Sequence, residues 1–162
     1  MGYKLVFAFV CMLFGTQVSA IRVQQDFDRE AFYVAMASGS IEAVNNELAV
    51  VRSSSVKEKD AYEGALLMKK AGLLKIPAEK LKAFKAGRIK FDPAISGDIE
   101  NVEYHFLRLT IQEHAPRVVK YYKEIETDKE YIHKGYRNLS PVIQKAILDY
   151  SKTSKVLQRD DL

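Results

Sequence analysis

Three polar side chains, His105, Arg108 and Gln112, recur at spacings of three and four within NVEYHFLRLTIQEHAP, residues 101–116. On a helix these spacings line them up with Asn101 in one narrow strip. Apolar residues fill the rest of the circumference: Tyr104, Leu107 and Ile111 on one side, Val102, Phe106 and Leu109 on the other. A helix so widely apolar belongs in the middle of a bundle. The strip combines an imidazole, a fork of guanidinium donors and a carboxamide. It could line a groove that takes a peptide, a carboxylate or a sugar. It could equally meet solvent or satisfy buried polar groups of neighbouring helices.

Other combinations carry less chemistry. Glu130 and His133 share a helix face at i, i+3, a pair found in carboxylate-bridged di-metal bundles. Such sites need two of these pairs and further carboxylates. The chain has one, and Glu103 and Glu113 do not supply the missing half, so no metal and no cofactor is expected. His114, one turn after Thr110 and close to Pro116, suits a helix C-terminus. No G-x-S-x-G elbow occurs, and Gly64, Gly72 and Gly87 are isolated, so neither a serine nucleophile nor a phosphate loop is indicated. Paired carboxylates leave a small hydrolase as the alternative reading. Asn138-Leu139-Ser140 matches a glycosylation acceptor, followed by Pro141.

Charge is uneven along the chain, whose formal net charge is +4. Residues 57–90 carry ten basic and four acidic side chains, between slightly acidic flanks. Lys82, Lys85 and Lys90 are the expected contacts if this segment meets an anionic envelope surface, lipid or glycan. The plain alternative is a solvated lysine face. Nucleic acid is not expected, because no reading motif accompanies the charge.

The elements that position these groups are helices. Residues 1–4 hold one lysine, residues 5–14 (LVFAFVCMLF) are unbroken apolar, and Val18-Ser19-Ala20 offers small residues. This is a secretory pattern with cleavage expected after Ala20, and the run is short for a membrane span. The one cysteine, Cys11, sits too early in that run for lipidation, and the rest of the chain has no disulfide chemistry. Periodicity then predicts helices over about 27–37, 41–52, 56–71, 77–91, 101–115, 116–123, 128–136 and from Pro141 onward. Inward faces are read at Val34 and Ala35, at Ile41, Val44, Leu48 and Val51, and at Leu81, Phe84, Arg88 and Phe91. The helix over 116–123 presents Val118, Val119 and Tyr122. Ser55 with Glu58 and Thr127 with Glu130 have capping-box spacing. Asp92-Pro93 and Ser96-Gly97-Asp98 predict a loop over 91–98. Residues 155–162 are expected to be a flexible tail.

The expected fold is all-α: one domain over 21–154, about seven antiparallel helices, no strand and no later transmembrane segment. Within residues 61–111, Tyr62, Gly64, Ala65, Ala83, Phe84, Asp92 and Pro93, followed by the helix from Asn101, resemble degenerate tetratricopeptide-like helical hairpins. The repeat period near 34 is not kept. The chain is also similar to small exported bacterial helical proteins without an assigned role. The resemblance implies a binding role toward a protein or peptide in a concave groove, and transfers no functional residue. The reading is therefore an exported interaction or structural protein, periplasmic or secreted, with His105, Arg108 and Gln112 as partner-binding candidates.

Overall fold

The computed structural model describes residues 26–162. The expected signal segment, residues 1–20, lies outside them. The described chain is all-helical, with no strand: α1 (Arg29–Ala37), α2 (Ile41–Ser53), α3 (Lys59–Leu73), α4 (Pro77–Gly97), α5 (Val102–His114), α6 (Ile125–Gly135) and α7 (Pro141–Ser151). No described helix is long and apolar enough to cross a membrane.

Local signals set several of the boundaries. Asp28 accepts the Glu30 amide at 2.9 Å and starts α1, and Ser40 accepts the Ala43 amide at 3.2 Å and starts α2. Proline occupies the first helical position of α4 and of α7, where its missing N–H costs nothing. Asn101, read above as part of the polar strip, instead caps α5 by accepting the Tyr104 amide at 3.2 Å. His114 closes α5 as expected, its Nδ1 lying 2.9 Å from the Thr110 carbonyl.

Neither expected capping residue, Ser55 or Thr127, is the N-cap of its helix. Glu58 and Glu124 precede α3 and α6, and neither makes a side-chain cap bond. The helix expected over 116–123 shrinks to one 3₁₀ turn, Arg117–Val119. That turn ends at Lys120, the only described non-glycine residue with positive φ, 51°.

The loop expected over 91–98 is absent, because α4 runs through Asp92-Pro93 to Gly97. Pro93 lies on the exposed side of the helix, one turn after the exposed Ile89. The carbonyl that loses its partner there can be hydrated. Phe91 and Ile95 are buried on the opposite side and hold the helix down.

The α3–α4 contact is the most extensive in the bundle. Gly64 and Gly87 meet where the two helices cross. A Cβ on Gly64 would fall 2.8 Å from the Gly87 carbonyl oxygen and 2.8 Å from the Phe91 amide nitrogen. One on Gly87 would fall 2.6 Å from the Gly64 oxygen. Lys90 reaches back to Asp60 and Glu63, each at 3.1 Å. Residues 60, 64 and 68 thus face 90, 87–91 and 87, an antiparallel register. Between α5 and α6, Gln112 meets the Glu124 amide and Val102 abuts Gly135, which is antiparallel too.

The core is aromatic at one end, where Phe32 and Tyr62 pack with ring centroids 4.6 Å apart. Residues 155–162, expected to be a flexible tail, lie against the bundle. Leu157 is fully buried, and Glu113 accepts from Ser154 Oγ and the Lys155 amide, each at 2.6 Å.

Replacing Gly87 or Gly64 with alanine puts a methyl group against backbone that cannot rotate away. Each variant is expected to lose about 1–3 kcal/mol, the range for overpacking. Gly72→Ala, within α3 and with nothing within 4 Å of its Cβ position, should be neutral or gain about 0.5–1 kcal/mol from helix propensity. Urea titrations followed by circular dichroism read both, and equal effects at Gly87 and Gly72 would refute the close crossing.

Candidate functional site

The polar strip of α5 faces α6, and one carboxylate takes all of it. Asp128 lies in the first turn of α6, one helical turn before the buried Ile132. Its side chain is fully buried. Asp128 Oδ1 lies 2.7 Å from His105 Nδ1 and accepts from Arg108 Nη2 at 2.6 Å. Its Oδ2 accepts from Arg108 Nε at 3.0 Å and from Gln112 Nε2 at 2.9 Å. The amide N–H groups that open α6 add favourable partial charge. Gln112 also accepts the Glu124 amide through Oε1 at 3.1 Å.

His105 is enclosed on every side. Its Nε2 lies 2.6 Å from the Ile99 carbonyl, and the Tyr131 ring stacks on it at 3.8 Å and 4°. Both ring nitrogens face oxygen atoms, Asp128 Oδ1 and the Ile99 carbonyl. Burial alone would lower the Arg108 pKa, but the bond to Asp128 and its charge outweigh burial and raise it. Arg108 keeps only 13 % of its side chain exposed. The three candidates for partner binding are brought together as expected, but their donors point into the bundle. The cluster is a buried ion pair with its hydrogen bonds filled.

A second buried carboxylate, Glu103, joins α1, α3 and α5. It accepts from the hydroxyls of Tyr33 at 2.8 Å and Tyr62 at 3.0 Å, with Arg29 Nε 3.3 Å away. Burial pushes the Glu103 pKa up, and the two hydroxyls and Arg29 only partly offset it. Glu113 is the opposite case. Burial would raise it, yet bonds from Ser154, Tyr150 and the Lys155 amide hold it below the ordinary carboxylate range. These acids serve three different helix junctions. A depression of about 480 Å³ beside α7 lies apart from them, lined by residues that include Lys145, Leu148 and Arg159.

Glu130 and His133 do not work as a pair. Glu130 meets Lys134 at 3.5 Å, and His133 Nδ1 lies 3.0 Å from the Asp161 carbonyl. Among the described residues no group of three or more His, Cys, Asp or Glu could hold a metal ion.

The cationic candidates separate. Lys90 is drawn toward α3, where its bonds to Glu63 and Asp60 raise its pKa. Lys82 and Lys85 stand exposed on the opposite side of α4 and form no ion pair. Between and beside them are Leu81, 46 % exposed, and Ile89, 74 % exposed. Periodicity had turned Leu81 inward. α4, however, carries apolar residues around most of its circumference, and α3 covers only the side with Phe84, Gly87 and Phe91.

The segment after α5 extends this outer face. Tyr121 is buried edge-on against Phe84, its hydroxyl donates to Asp92 at 2.9 Å, and the Arg88 guanidinium lies 4.9 Å over its ring. That anchor ties Tyr121 to the 84–88–92 row of α4, next to the row with Leu81 and Lys85. Val118, 84 % exposed, and Tyr122, 47 % exposed, project from the same segment among Arg117, Lys120 and Lys123. Of the three apolar residues that the expected helix presents, Val118, Val119 and Tyr122, only Val119 packs against the core. Sequence reasoning missed this extension because it wrote a helix over 116–123. It missed Asp128 because the false cap at Thr127 obscured the spacing of Asp128 and Ile132.

Comparison with protein-family models, with curated proteins and with solved structures returned no match.

Asp128→Asn removes the carboxylate charge bonded to Arg108 and should cost about 3–5 kcal/mol, as for a broken buried pair. Arg108→Gln strands the fully buried Asp128 carboxylate and should cost at least as much. Chemical denaturation measures both, and losses below about 1 kcal/mol at either position would argue against Asp128 as the hub.

The Glu113 pKa lies below its unfolded value of about 4.3, so its contribution to stability is complete above that pH. It fades as pH falls through the lower, folded value. A Glu113→Gln variant should therefore be less stable than wild type at neutral pH, and the gap should narrow toward pH 3. Thermal melts across that range test the sign.

Proposed function

We propose that this protein is a non-catalytic helical interaction protein that docks on an anionic partner through the outer face of α4 and residues 117–123. The observation that carries this reading is the mixture of unpaired cations with exposed apolar side chains on one face. Lys82 and Lys85 accompany Leu81 and Ile89 on α4, and Val118 and Tyr122 are exposed on the segment that Tyr121 anchors to the same helix. Clustered apolar exposure marks contact surfaces, and the cations select a partner of opposite sign.

Peptide capture by His105, Arg108 and Gln112 is disfavoured, since their donors are spent on Asp128. A carboxylate hydrolase is disfavoured because Glu103, Glu113 and Asp128 each close a separate helix junction. The resemblance to tetratricopeptide-like hairpins favours a binding role, with the contact moved from a groove to an outer face. Export, expected from the N-terminal pattern, would set this face among anions of the envelope or beyond it.

Retention of the full chain on immobilised dextran sulfate tests the reading. Each cation near an anionic surface contributes about 1 kcal/mol at low salt, so Lys82→Gln/Lys85→Gln should weaken retention roughly 30-fold. The effect should shrink as salt rises. Lys145→Gln/Lys152→Gln on α7 should change little. Equal retention of the α4 double variant and wild type would overturn the assignment.

A further inference from the structure

We infer that the partner of this face is the surface of an anionic lipid bilayer, which Val118 and Ile89 enter while the flanking lysines and Arg117 meet the headgroups. The inference rests on the proposed docking role of α4 and adds the chemistry of the partner. An acidic glycan or polymer would answer the lysines alone. It would leave Val118 and Ile89, the two most exposed large aliphatic side chains of the described chain, in water. A bilayer interface accepts both classes at once: apolar side chains lie below the headgroups and basic side chains among them. Tyr122 adds an amphipathic ring, which suits the same depth.

The shape agrees with the chemistry. A peptide partner of helical or extended form would need a groove to enclose its anchors. This face is instead the outer side of one helix, to which Tyr121 anchors the short segment that follows α5. Lys120, in the left-handed conformation, closes the turn and leaves Val118 at its tip. Tyr121 keeps the turn from collapsing, because its ring, hydroxyl and cation contact all hold to α4. The tip is therefore held out from the bundle by a buried anchor.

The test uses sedimentation of the full chain with phosphatidylcholine vesicles, with and without phosphatidylglycerol. All variants share the same N-terminal segment, so its own contribution cancels. Wild type should partition onto phosphatidylglycerol vesicles in a salt-sensitive manner. Ile89→Ser/Val118→Ser should weaken that partition about tenfold. Both positions are exposed, and circular dichroism verifies that the double variant folds. Because the chain has no tryptophan, Val118→Trp gives a single reporter whose emission should shift to the blue on these vesicles. If wild type is held by dextran sulfate but ignores the vesicles, or if the serine variant partitions like wild type, the bilayer assignment falls and the anionic docking role stands. If neither matrix nor vesicles retain wild type, both fall.

Discussion

A carboxylate removed from water must be surrounded by donors, and Asp128 meets that condition entirely from α5. His105, Arg108 and Gln112 occupy successive turns of that helix, so one acceptor can reach all three only when α5 and α6 are antiparallel and in a single register. A slip by one turn would strand a buried charge. The apolar packing of the core, which includes Leu109 and Ile132, could tolerate such a slip far more easily, since hydrophobic contact is not directional. The cluster therefore contributes specificity more than raw stability, the role best attested for buried polar groups. Side chains that would suit ligand capture are consumed in holding the bundle.

The α3–α4 pair is fixed by different means. Gly64 and Gly87 let two backbones touch, and the ion pairs from Lys90 to Asp60 and Glu63 set the register beside the crossing. Glu63 also meets Arg52 of α2 at 2.8 Å. Arg52 and Lys90 together outweigh burial and keep the Glu63 pKa below its ordinary value. One consequence is that Lys90, though part of the lysine-rich run, is structural. Another is that α4 is pinned along one narrow side, so a helix with apolar residues on both sides can bury only one of them.

The sequence was informative where one local force dominated. Helix starts at Ser40, Pro77 and Pro141 were legible because caps and N1 proline act within a few residues. The strip at 105, 108 and 112 was legible as a strip, but its partner was not, because that depends on which helix packs across from it. The loop expected at Asp92-Pro93 failed for a tertiary reason: burial of Phe91 and Ile95 outweighs the lost hydrogen bond on the solvent side. Leu81, Val118 and Tyr122 failed in the other direction. Periodicity identifies apolar stripes, but whether a stripe is covered depends on how many neighbours the chain supplies. The segment over 155–162 looked too polar to pack, yet one well-placed Leu157 and the acceptors of Glu113 suffice to seat it.

The outer face of α4 is where these two kinds of constraint meet. A fold that needed only stability would gain nothing from Ile89 or Val118 in water, since exposed aliphatic groups add no burial and promote association. Lysines beside them offset that liability through repulsion between copies. A purely solubilising role would place the lysines anywhere on the surface. Here Lys82 and Lys85 share a helix face with Leu81 and Ile89, and Tyr121 anchors to the same helix a segment that carries Arg117, Lys120 and the exposed Val118. The anchor matters most to the argument. A loose loop would also leave a valine exposed, but it would not need a buried ring, a hydroxyl bonded to Asp92 and a stacked Arg88 beneath it. Rigid presentation lowers the ordering cost of binding, and that advantage is realised only when something is bound.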